Sequence, residues 1–128
     1  MRPRWRSDDG SAAAEVTLMT PLLVLLVVGT VQFGVWLHAT HTAQAIAAQA
    51  LQSTRVSQGS VAAGREQAGA LLNAAGRRVI LHWSVDVVRD VERAHVAIRG
   101  RAQQVLPFLS VPVSVSVSGP VERLTTAG

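Results

Sequence analysis

The chain has 128 residues, a formal net charge of +4 and no cysteine. Without cysteine, disulfides and thiolate-based redox or metal chemistry are excluded. All twelve cationic residues are arginines, with no run longer than two, so no concentrated basic patch for nucleic acid is present.

The first nine residues are polar, with Arg2, Arg4 and Arg6 followed by Asp8 and Asp9, and they read as an unstructured cytoplasmic leader that ends at Gly10. Small residues follow at 11–14, then Glu15, and from Val16 through Thr54 there is no Asp, Glu, Lys or Arg. The apolar core at 16–37 is 22 residues long, about 33 Å as a helix and close to the hydrocarbon thickness of a bilayer. A chain this short offers too little structure to bury such a helix on all sides, so residues 11–37 are expected to span a membrane. The run exceeds the roughly 7–15 residues of a signal-peptide core, and no small-x-small cleavage site follows it directly. The three leader arginines, against a first downstream cation at Arg55, predict a cytoplasmic N-terminus and an extracytoplasmic remainder.

Pro21 lies inside the span and is expected to kink or locally unwind it. Gly29 and Gly34 are five apart, not the spacing of a tight small-xxx-small dimer. Gln32 has the capacity for interhelical hydrogen bonds, and Trp36 with His38 marks the outer interface. No breaker stands between Val35 and Val56, so one helix is expected from near Ser11 to Val56, about 70 Å long. Its outer part carries a small-residue face of Ala39, Ala43, Ile46, Ala47, Ala50 and Leu51.

Ser57-Gln-Gly-Ser breaks that helix, and Ser60 is placed to cap a second one reaching Asn73 or Ala75. The second helix presents Val61, Ala68, Leu71, Leu72 and Ala75, and Gly76 suits its end. Gly59, Gly64 and Gly69 read as loop and close-packing glycines. The period then becomes two: Val79, Leu81, Trp83, Val85 and Val87 alternate with Ile80, His82, Ser84, Asp86 and Val88 as a half-buried strand. After a polar turn at 89–93, Ala94, Val96 and Ile98 predict a shorter strand, and 100–107 a loop. Val111, Val113, Val115 and Val117 form the third strand, where Pro112 argues for an edge or a strand start. The expected fold is α+β: a long N-terminal transmembrane helix continuing outside, a second helix and a small three-stranded antiparallel sheet. Residues 38–128 form one small extracytoplasmic domain, about ninety residues being enough for one thin core and too few for two.

A short basic leader, Gly10, four small residues, Glu15 at the fifth position, Pro21 six residues on and Gly29-Thr-Val-Gln-Phe-Gly34 late in the span form a pattern. It resembles the TadE-like (pseudo)pilin family of tight-adherence pilus systems, a branch related to type IV pilins. The resemblance covers about forty residues. Gln32 stands where that family usually has Glu, Val16 where Phe is common and Val35 where Arg is frequent, while Phe33 and Gly34 match. The resemblance implies a bacterial cytoplasmic-membrane protein cut between Gly10 and Ser11 by a prepilin peptidase, with Glu15 meeting the N-terminal amine of a neighbouring subunit during assembly. Its implied partners are membrane lipid, the peptidase, other pilin-like subunits and pilus assembly proteins, with no nucleic acid, small-molecule substrate or cofactor.

Other constellations are weaker. His38 and His41, three apart on one helix, with His82 or His95, form a conceivable metal set, but interfacial and solvent-facing histidines explain them more simply. Ser84, His82 and Asp86 project from one face of one strand with no Gly-x-Ser-x-Gly elbow, so no catalytic site is expected. Trp83 reads as core. The Val/Ser strand offers an edge for strand addition, although pairing within the chain is simpler. The remaining functional alternative is an unprocessed signal-anchored scaffold or accessory protein of a cell-envelope complex.

Overall fold

The computed structural model describes residues 5–56, 59–75 and 78–122, with side chains from Gly10 onward. Two helices, α1 (Trp5–Arg55) and α2 (Val61–Ala75), precede three strands, β1 (Ile80–Arg89), β2 (Arg93–Ala102) and β3 (Pro112–Pro120). The strands form an antiparallel sheet in the order β1-β2-β3. One face of the sheet is covered, by the outer half of α1 across β2 and β3 and by α2 across β1. This is the α+β arrangement expected from the change of hydrophobic period.

The core is assembled on one strip of α1. Ala39, Ala43, Ala47 and Ala50 are completely buried, flanked by Ile46 and Leu51. These positions recur at three and four residues and so lie on one helix face. Methyl side chains there let Val96 and Ile98 of β2, Val113 and Val115 of β3, and Leu72 of α2 close onto the helix in a single cluster. The alternation expected in the third strand holds, with Val113 and Val115 buried, Ser114, Ser116 and Ser118 exposed, and Pro112 opening an edge strand.

Ser60 Oγ accepts from the Ala63 amide at 3.0 Å, which is the cap expected for α2. Gly64 then sets the approach of the two helices. A Cβ at Gly64 would collide with Thr54 Oγ1 and lie 3.2 Å from the Ala50 carbonyl. Thr54 itself is fully buried, its hydroxyl donating to Ala50 O at 2.8 Å. Arg89 closes the far end. Its Nη1 donates to Gly59 O at 2.6 Å and its Nη2 to Val56 O at 3.3 Å, placing a cation where the α1 dipole is negative. Arg55 Nε donates to Pro120 O at 2.7 Å, and the Glu122 amide donates to Arg55 O at 2.9 Å, tying the end of β3 to the same place.

Four expectations are corrected. The helix begins at Trp5, so residues 5–9 of the expected unstructured leader are helical; nothing between Trp5 and Ser11 breaks a helix except Gly10, whose cost of about 1 kcal/mol is small for a helix already propagating. The helix also runs through Pro21 without interruption, so the local unwinding expected there is absent. Ile80, expected on the polar face of β1, is buried. The cause is a bulge: Leu81 pairs with Arg101 and Ser84 with Arg99, so His82 and Trp83 together face Gly100, with His82 in the left-handed region at φ 50°. The extra residue reverses the inward phase of everything before it. Finally, Gly100 to Ala102 continues β2 instead of opening a loop, because the strand beyond the bulge still needs a partner. A Cβ at position 100 would sit 2.5 Å from Ile80 Cγ2 and 3.1 Å from Leu81 O, so glycine is required there. Gly76 lies outside the described residues.

Gly64→Ala is expected to destabilise the protein by about 1–3 kcal/mol through overpacking, despite its gain in helix propensity. In a Thr54→Ala background most of that cost is removed. Thermal unfolding of the four proteins of this cycle in detergent measures the coupling, and additive effects would refute the tight Gly64–Thr54 approach.

Candidate functional site

The processing, assembly and membrane-helix residues expected from the sequence, Gly10, Ser11, Glu15, Pro21, Gln32, Phe33 and Gly34, all lie on α1. The helix divides into two surfaces. Side chains at 10–27 are exposed all round, and cover begins at Val28 and Gly29. The most apolar stretch of Gly10–Arg55 has a mean hydropathy of 2.1 and is only 6% buried. Among the described residues almost nothing covers it, and α1 is the one helix there long and apolar enough to cross a membrane. This fits a single-pass membrane protein.

Gly10, Ser11 and Glu15 fall in the bare half. All three are helical and exposed, and a Cβ at Gly10 would meet nothing within 4 Å. Glu15 stands one turn from Ser11, and no hydrogen bond or ion pair joins it to another described residue. The neighbouring threonines bond back to their own helix, Thr17 Oγ1 to Ala13 O and Thr20 Oγ1 to Val16 O, each at 2.8 Å. Pro21 is exposed, and positions 29 and 34 open to space.

Gln32 is different. It is 3% exposed and lies at the lower end of the same strip that carries Ala39 to Ala50. Its Nε2 donates to Gln103 O at 3.1 Å, while its Oε1 accepts from the Val105 amide at 2.7 Å and the Leu106 amide at 3.3 Å. The amide side chain thus saturates three backbone groups of the β2–β3 loop. One turn above, Trp36 Nε1 donates to Pro112 O at 3.1 Å. Phe33 is exposed, its ring 5.7 Å from that of Trp36. The sequence pointed to interhelical hydrogen bonds for Gln32; its partners are instead three backbone groups of the β2–β3 loop, more than seventy positions away and without local signal.

The titratable groups elsewhere do not converge. His38, His41 and His82 are exposed, and His95 Nε2 lies 3.4 Å from Ser116 Oγ. Among the described residues no three His, Asp or Glu side chains are grouped to hold a metal ion. Ser84, His82 and Asp86 all sit exposed on β1. Trp83 is half-buried in the core cluster, its indole reaching α2 at Gly69.

Gln32→Leu keeps the side-chain volume but leaves two amides and a carbonyl of the loop without partners. The expected cost is about 1–3 kcal/mol. Hydrogen exchange should accelerate at Val105 and Leu106 and hardly change at Val96 or Ile98; uniform exchange across the sheet would refute the latch.

No curated protein and no solved structure matches the chain. Residues 10–52, about a third of the chain, match the model of the family described as TadE-like protein, and this similarity covers α1 from Gly10 almost to its end.

Proposed function

We propose that this chain is a non-catalytic, membrane-anchored, pilin-like subunit that takes part in assembling a tight-adherence pilus or a related secretion apparatus of the bacterial cytoplasmic membrane. The observation that carries the reading is the TadE-like match, which begins at Gly10 and takes in the whole bare apolar half of α1. Its partners are membrane lipid, a prepilin peptidase, other pilin-like subunits and pilus assembly proteins. The N-terminus is cytoplasmic, as the arginines before Gly10 favour, and residues 38–128 form the extracytoplasmic domain.

Processing falls between Gly10 and Ser11. Proteolysis requires the local helix to open, and glycine, about 1 kcal/mol poorer than alanine as a helix former, makes Gly10 the weak point of that region. Cleavage would remove the arginines and leave a new ammonium on Ser11. Glu15 meets such an ammonium on a neighbouring subunit. A carboxylate and an ammonium at the membrane edge, each poorly solvated alone, attract strongly once paired and so fix the axial register of packed helices. The exposed position of Glu15, with no described partner in its own chain, supports that role.

The N-terminal residue and intact mass of the protein from membranes, with and without prepilin peptidase, test the processing step. A chain starting at Ser11 only in the presence of the peptidase is expected; full-length chain in both strains would instead leave an unprocessed signal-anchored scaffold of a cell-envelope complex. Glu15→Gln should leave cleavage and membrane insertion intact while reducing recovery of the protein in assembled complexes, read by crosslinking in membranes. Unchanged crosslinking would remove Glu15 from assembly.

A further inference from the structure

The β2–β3 loop leaves large apolar side chains exposed: Phe108 is 77% exposed, and Val105 and Leu109 are each 40% exposed. No charged residue occurs from Ala102 through Val121. Exposed apolar loops in water mark contact surfaces, and the position of this one along α1 identifies what it contacts. A hydrocarbon layer of about 30 Å takes up about twenty helical residues. Counted from Ser11 the layer ends at Thr30, and counted from Val16 it ends at Val35. Gln32, which holds the loop through Gln103, Val105 and Leu106, falls between these limits. The loop is therefore tied to the helix at the level of the outer bilayer boundary.

A second observation points the same way. Irregular backbone enters the acyl–headgroup boundary at lower cost where its polar groups are satisfied from within the protein, and of the amides at 105–109 that of Phe108 alone has no such bond. The Val105 and Leu106 amides are bonded to Gln32, Pro107 has no N–H, and the Leu109 amide donates to Leu106 O at 3.1 Å. The Ala102 amide closes the base of the loop on Val111 O at 3.0 Å. Beside the loop, the groove formed with Gly34 and Val35 is lined by His38 and Arg78, side chains suited to the headgroup layer above an apolar contact.

We infer that residues 105–109 form a second membrane contact, in which Val105, Phe108 and Leu109 enter the acyl–headgroup boundary of the outer leaflet beside α1. The folded domain is thereby held on the bilayer at two places, and its tilt is fixed relative to the span. This inference rests on the reading of α1 as a membrane span and extends it to a part of the chain outside the TadE-like match.

The lack of native cysteine permits single-site labelling of the full-length protein in phosphatidylcholine vesicles. Phe108→Cys, Val105→Cys, Leu25→Cys and Ser114→Cys would each carry an environment-sensitive fluorophore. Labels at 108, 105 and 25 are expected to lose emission when doxyl-labelled lipid is included and to resist iodide, whereas the label at 114 loses emission to iodide alone. If 25 responds to the lipid quencher while 108 and 105 behave like 114, the loop contact is refuted and the span stands. Shielding of 108 from iodide that grows with protein-to-lipid ratio, without lipid quenching, would overturn the inference in favour of contact with a second copy. A silent label at 25 would overturn the span itself, and the loop contact with it.

Discussion

The whole fold depends on how closely other backbone can approach α1. A helix with leucines all round holds its neighbours at a distance and needs a fluid apolar solvent to fill the spaces. A helix with alanines along one face lets a sheet close upon it. Both surfaces are present in one continuous helix: Leu22, Leu23, Leu25 and Leu26 are exposed, while Ala39, Ala43, Ala47 and Ala50 are fully buried. The boundary between the two is a change of side-chain size as much as of hydrophobicity. Gly64 extends the same principle to α2, where the absence of a side chain lets the second helix reach Thr54.

A strip of alanines has a weakness, since it repeats. Sliding the sheet by one turn along α1 would exchange one methyl for another at little cost in buried area, much as a polar or featureless strand slips in register. Directional hydrogen bonds remove that freedom. Near the membrane, Gln32 and Trp36 hold the base of the β2–β3 loop and the start of β3. At the other end, Arg55 and Arg89 hold the end of β3 and the α1–α2 turn. β3 is thus fixed at both ends, and the methyl contacts between follow from that placement. Burial supplies most of the stabilisation, whereas these polar contacts select one axial position from several of similar area.

What the sequence displayed and what it concealed follow the range of each interaction. The apolar run, the alanine face, the Ser60 cap and the Val/Ser alternation of β3 are signals over a few residues, and each led to the element observed. Ile80 was concealed because its face depends on a bulge, and the bulge depends on Gly100 meeting His82 and Trp83 across the strand pair. The continuation of β2 through Gly100-Arg101-Ala102 was concealed for the same reason, as those residues read locally as a loop. At the candidate site, only the placement of Gly10, Glu15 and Pro21 along one exposed stretch of helix was legible, because they are close in sequence. The task of Gln32 was not, because all three of its partners lie in a loop that approaches only after the sheet has formed.

Gln32 also shows why the acid usual at this position in the TadE-like pattern would suit this chain poorly. The loop presents two amide donors to Oε1 and one carbonyl acceptor to Nε2. A carboxylate would satisfy the donors but turn a second negative oxygen toward Gln103 O, and it would place a charge at a site only 3% exposed, where ionisation is costly. The neutral amide matches donors and acceptor together. Glu15 is therefore left as the only carboxylate on α1 from Gly10 to its end at Arg55. The two polar groups differ in direction: one turns inward and completes the chain's own fold, while the other is exposed on the bare surface with no partner among the described residues.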